Sequence, residues 1–132
     1  MPTPTNSDEA QQPADETLDA VLAAARAADS KKASAIRVLD LREITTFAEY
    51  FLVCTGNNQR QIQAIADDVH HELKQDGRIP LGIEGYDKAE WVLLDYGDFL
   101  VHVFSEAARK FYDLERLWRA AKDVPVEQTG PA

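Results

Sequence analysis

Residues 91–104 read WVLLDYGDFLVHVF. Two apolar runs flank Gly97-Asp98, and a two-residue loop with Gly first suits the type II′ turn of a β-hairpin. Closing the turn there pairs 96 with 99, 94 with 101 and 92 with 103. Side chains alternate along a strand, so one face carries Val92, Leu94, Tyr96, Phe99, Val101 and Val103. That face is apolar apart from one hydroxyl and is expected to be core. The other face carries Trp91, Leu93, Asp95, Leu100, His102 and Phe104, with Trp91 near Phe104 across the hairpin. Large apolar groups mixed with an acid and a histidine predict a face that the protein's own helices cover only in part. A one-residue slip would exchange the two sets.

Upstream, YFLVCTG (50–56) is a nearly continuous apolar run ended by Gly, the pattern of a strand buried on both faces. AIRVLDL (35–41) is rich in β-formers and reads as a first strand. Asn57 and Asn58 can each cap a following helix. On that helix Ile62, Ile65, Ala66, Val69 and Leu73 line one side, and Gly77 stands where a left-handed C-terminal cap belongs. IPLGIEG (79–85) suggests a short strand that Pro80 confines to an edge. Before the strands, Leu18, Val21, Leu22 and Ala25 give a narrow, alanine-rich helical stripe, which predicts close packing against a neighbour.

Downstream, Phe111, Leu114, Leu117, Trp118 and Ala121 have helical spacing, so a helix is expected from about Ser105 to Lys122, ended by Pro125. Its stripe is expected to be core, and Glu115 with Arg119 to form an i, i+4 ion pair. Arg109, Tyr112 and Glu115 fall on another side of that helix. The order is helix, strand, strand, helix, strand, hairpin, helix, which is an α/β fold with a mixed sheet and packed helices. Residues 1–16 hold three prolines and no aromatic and read as a disordered tail. Residues 17–122 form one domain, and 123–132 a flexible end.

The chain has 132 residues and a net charge of −9. That charge disfavours direct readout of nucleic acid, whose affinity rests on neutralising phosphates, and fits a basic protein partner better. One cysteine allows no internal disulfide and points to a reducing, cytoplasmic setting. No apolar run nears the ~20 residues needed to cross a bilayer.

Catalytic chemistry finds little support. His70 and His71 are adjacent on a helix and diverge, and His102 stands alone, so no metal site is expected. Cys54 lies within the buried strand, where a thiol behaves as a small hydrophobe, although His102 could approach it in space. The helix start after Thr55–Asn58 would suit a phosphate. Nucleotide transfer also needs two carboxylates converging on a metal, whereas Asp67 and Asp68 diverge, Asp95 and Asp98 straddle a turn, and Asp40 has no acidic neighbour at i±2. No catalytic residue and no cofactor is expected. What remains is surface. As a lone aromatic Trp91 would read as a partly buried core residue. Trp, Tyr and Arg converging on an incompletely covered face read instead as binding hot spots.

The stretches YFLVCTGNNQRQIQAIADDV, PLGIEGYDKAEWVLLDYGDFLVHVF and RKFYDLERLW together resemble the ribosomal silencing factor, or Iojap, family over about residues 18–120. The resemblance implies a nucleotidyltransferase-like fold without the catalytic carboxylates. It also implies a translation repressor that binds the large ribosomal subunit through its universal protein number fourteen and sterically blocks the small subunit. The family's ribosome-binding tryptophan falls on Trp91. Tyr86, Asp95, Arg109 and Tyr112 extend that site by geometry. Two rival readings stay open: a nucleotide-binding enzyme or sensor acting at Thr55–Asn58, and a homodimer in which the mixed face closes on a second copy of itself.

Overall fold

The computed structural model describes residues 3–128, with side chains from residue 16 onward. Six strands form one sheet in the order β3-β4-β5-β2-β1-β6. In chain order they are β1 (Ser34–Asp40), β2 (Tyr50–Gly56), β3 (Gly82–Glu84), β4 (Trp91–Asp95), β5 (Phe99–Ser105) and β6 (Lys122–Val124). Helices α1 (Thr3–Ser30) and α2 (Gln59–Gln75) precede β1 and β3, and α3 (Glu106–Tyr112) and the one-turn α4 (Leu114–Leu117) follow β5. At the centre β2 runs parallel to β5, and the other pairings are antiparallel. Every residue of β2 is buried, as its unbroken apolar run requires.

The hairpin register is the expected one, with Val92 opposite Val103 and Leu94 opposite Val101. Gly97 takes φ +84°, and the Tyr96 N–H donates to the Phe99 carbonyl at 3.0 Å. The apolar face of the hairpin joins Ile36, Val38, Tyr50, Leu52 and Cys54 in a core roofed by α1 and α2. The stripe of α2 is buried as read: Ile62, Ile65, Ala66, Val69 and Leu73. Asn58 Oδ1 accepts from the Gln61 N–H at 2.8 Å, while Gln61 Oε1 accepts from the Asn57 N–H at 2.5 Å. This is a capping box shifted by one residue. At the other end Gly77 at φ +83° lets the Arg78 N–H reach Leu73 O, closing a Schellman motif.

Several expectations change. On α1 the buried ridge is Ala20, Val21, Ala24, Ala25, Ala27 and Ala28, with Leu18 packed at the edge of the core and Leu22 only partly buried. The stretch 1–16, read as a disordered tail, is helical backbone from Thr3 on, its side chains before residue 16 outside the described residues. The end of the chain, read as flexible from residue 123, instead supplies β6 against β1. Val124 and Val126 pack on the helix-side core, and Gln128 Oε1 accepts from the Ile36 N–H at 3.1 Å. A three-residue strand is too short to show a period of two, so only its neighbours define it.

The other face of the sheet is thinly covered. The expected helix from 105 to 122 breaks at Asp113, which takes the left-handed φ of +49° between α3 and α4. Leu39, Leu41, Phe51, Val53, Leu100 and Phe104 lie beneath these short pieces, with Trp91, Leu93, Leu114 and Trp118 partly buried at the margin.

Strand β4 begins at a fixed height because Gly85, at φ +80°, lies so near that an added Cβ would run into the Trp91 carbonyl oxygen. Gly85→Ala is therefore expected to lower unfolding stability in urea by at least ~1 kcal/mol, since neither its φ nor its space admits a methyl. The near-ultraviolet signal of the tryptophans should change with it.

Candidate docking face

Trp91 opens β4 and lies opposite Phe104 on β5. Its ring is half-buried and rests 5.1 Å from Phe104 and 4.6 Å from Tyr112, centroid to centroid. Its indole N–H donates inward to His102 Nδ1 at 3.1 Å. With its one polar atom engaged inside the protein, the ring can offer a partner only its apolar and π surface.

Tyr112 ends α3 and is 52% exposed; Phe111 stands edge-on to it at 5.0 Å and is 79% exposed. Ser105 starts this helix by accepting the Ala108 N–H, and the turn at Asp113 stops it after seven residues. The break is what leaves Phe111 and Leu117, the latter 75% exposed, pointing away from the sheet. A continuous helix would have put both on the buried stripe. Only Leu114, Trp118 and Ala121 of that stripe reach the core.

On the far side of His102, Phe51 meets the imidazole edge-on at 4.7 Å and Trp118 at 5.6 Å, and the exposed Phe47 touches Phe51 at 6.3 Å. Rings thus connect Phe47, Phe51, His102, Trp91, Tyr112 and Phe111 across one face, buried in the middle and open at both ends. Burial holds the His102 pKa down to about 4. An indole N–H can only donate, so the bonded Nδ1 is unprotonated and the proton sits on Nε2, which is buried without a hydrogen-bond partner. Leaving such a donor unpaired costs ~1–3 kcal/mol.

Of the five residues expected on this site, Trp91 and Tyr112 come together and three do not join them. Tyr86 turns to the other layer of the molecule: its ring packs on the helix-side core and its hydroxyl donates to Asp67 of α2 at 3.0 Å. Asp95 shares the face of Trp91 but lies four residues along β4, ~13 Å at strand rise, and its Oδ1 accepts the Gly97 N–H of the turn. Arg109 is an internal strut. Its guanidinium makes two bonds to Glu115, at 2.8 and 2.9 Å, and its third nitrogen donates to Thr55 Oγ1 and the Ala35 carbonyl. Glu115 is also held by Arg37 at 2.6 Å, and Arg37 by Asp123 of β6. The expected Glu115–Arg119 pair is replaced by this network, because the turn at Asp113 brings residue 115 back beside Arg109.

Phe111, Leu117 and Phe47 were not anticipated on this face. The bond between Trp91 and His102 had a signal, since the hairpin register makes them diagonal neighbours. Cys54 and His102 point to opposite faces of the sheet, and burial raises the thiol pKa to about 12. Two of the N–H groups at the helix start after Thr55, those of Asn57 and Gln61, are engaged in the α2 cap. No group of three or more metal-ligating side chains occurs among the described residues.

Residues 14–132 match the family model described as ribosomal silencing factor during starvation. The ribosomal silencing factor RsfS of Bacillus subtilis is 45% identical over 95 residues, covering 72% of this chain and 80% of its own. That of Halalkalibacterium halodurans is 41% identical over 104 residues, covering 79% and 89%. A crystal structure of a Chromobacterium violaceum protein superposes with a TM-score of 0.75 at 34% identity, covering 87% of this chain and 89% of that one.

The ion-pair network predicts a pH signature. Hydrogen bonds from Arg109, opposed by desolvation and aided by Arg37, hold the Glu115 carboxyl down to about 2 from 4.5. A depressed carboxyl stabilises the fold above its unfolded pKa, and that contribution fades as pH falls from 4.5 toward 2. Arg109→Met is expected to cost ~2 kcal/mol at pH 7, a buried-pair loss reduced by partial solvent screening. It should also flatten the acid limb of stability between pH 4.5 and 2, measured by urea titration at stepped pH.

Proposed function

This chain belongs to the family of ribosomal silencing factors during starvation, and we propose that its ring-lined face docks it on the large ribosomal subunit through universal ribosomal protein fourteen. Seated there, its bulk prevents the small subunit from joining and translation falls. The observation that carries this reading is the cluster of Trp91, Tyr112 and Phe111, three aromatics gathered where the sheet lacks a full helical cover.

The chemistry suits a basic protein. A body with net charge −9 draws a cationic partner toward it, and Trp and Tyr faces accept the stems and heads of Lys and Arg. Trp91 and Tyr112 form the centre of the contact, with Phe111 and Leu117 around them and Asp95 at the far rim. Arg109 and Tyr86 serve the frame that holds these residues. Obstruction needs a firm hold and occupied volume, with no chemical step. A ribosome-bound role places the protein in the cytoplasm. A free dimer closed on this face would have to open before docking.

Sedimentation of the tagged protein with separated ribosomal subunits tests the reading. Wild type should pellet with large subunits and lower the yield of joined ribosomes. Trp91→Ala and Tyr112→Ala should each weaken pelleting by about 30-fold or more, the ~2 kcal/mol of a hot-spot truncation, while circular dichroism shows them folded. Unfolding of Trp91→Ala would make the tryptophan part of the frame instead.

A further inference from the structure

Strand β5 places one histidine in a face of rings. His102 is only 3% exposed and lies between Phe51 at 4.7 Å, Trp91 at 6.0 Å and Phe104 at 6.1 Å, a setting that a phenylalanine would fill. Its Nε2 has no hydrogen-bond partner. The imidazole makes one hydrogen bond, from the Trp91 indole N–H to Nδ1 at 3.1 Å. A polar side chain in a position suited to an apolar one is explained by that single bond.

We propose that His102 is the positioning residue of the docking face, fixing the Trp91 ring before the partner arrives. Without an acceptor inside, the indole N–H must find water, and the ring must turn its polar edge outward to reach it. With the bond made, the N–H edge stays inward and the ring lies between Phe104 and Tyr112, its remaining surface free for contact. A side chain held in its bound orientation loses no rotamer freedom on docking, which strengthens binding without adding a contact. The inference rests on the reading of this face as the docking surface.

Two variants of the full chain separate positioning from packing. His102→Phe keeps the ring volume and removes the acceptor; His102→Gln offers a carbonyl oxygen in its place. The readouts are hydrogen exchange at the Trp91 indole N–H by NMR, identified by its loss in Trp91→Phe, affinity for large subunits by pelleting, and urea stability. The wild-type N–H should exchange slowly. His102→Phe should fold at least as stably, exchange quickly, and bind roughly two- to tenfold more weakly, with His102→Gln recovering part of both. Fast exchange in the wild type overturns the proposal, as does a His102→Phe that binds like wild type. Binding lost only in proportion to stability in both variants makes His102 a packing residue and overturns it too. If wild type does not pellet at all, the docking reading fails and the positioning role with it, while slow indole exchange would still establish the bond.

Discussion

The whole molecule depends on β2 lying parallel to β5 in the middle of the sheet, with both faces of that pair needing cover. One face receives two long helices, and alanines on α1 let them pack closely. The other receives seven residues of α3, one turn of α4 and the side of Trp118. A helix rises 1.5 Å per residue, so seven residues span ~10 Å, about half the ~23 Å run of β5. Apolar surface left over at the margin is therefore a consequence of the chain's length distribution. Trp91, Tyr112 and Phe111 stand at that margin.

What could be read in advance follows the range of the forces involved. Helix α2 was legible to its caps because periodicity, Asn58 and Gly77 all act within a few residues. The hairpin register was legible because one glycine sets it and the pleat then sorts every side chain. Strand β6 and the turn at Asp113 were not. Nothing about Asp113 forbids helix, and the apolar spacing across it continues as if unbroken. What favours the break is Glu115, which folds back onto Arg109 and Arg37, residues 6 and 78 positions away. Partners at such separations leave no local period.

The ring-lined face was legible in part for the same reason. Strand alternation and the amphipathic reading of α3 set Trp91 and Tyr112 apart from the buried stripes, and the structure brings their rings together. Arg109 was misassigned because arginine near aromatics fits equally well in an interface or in a buried bidentate pair; only the position of Glu115 decides, and that depends on the turn. Tyr86 and Trp91 are only five residues apart, but Tyr86 lies inside the turn that the Ala89 N–H closes onto the Gly85 carbonyl and Trp91 opens the strand after it, so the two rings lie in opposite layers.

The ion-pair network and the ring-lined face have a common origin in that turn. Folding Glu115 back onto Arg109 withdraws a cation and an anion from the surface and fastens α3 to Thr55 of β2 and Ala35 of β1. The same reversal turns Phe111 and Leu117 outward and seats Tyr112 against Trp91. Polar groups are thus spent holding the frame, and apolar ones are presented by it. The face gains rigidity from below, through the Trp91 bond to His102 and the close approach of Gly85, and from the side, through Arg109. A surface so braced has few ways to rearrange and little ordering entropy to lose on binding. Under the proposed docking, that rigidity is what would let the bound protein hold its place against an arriving subunit.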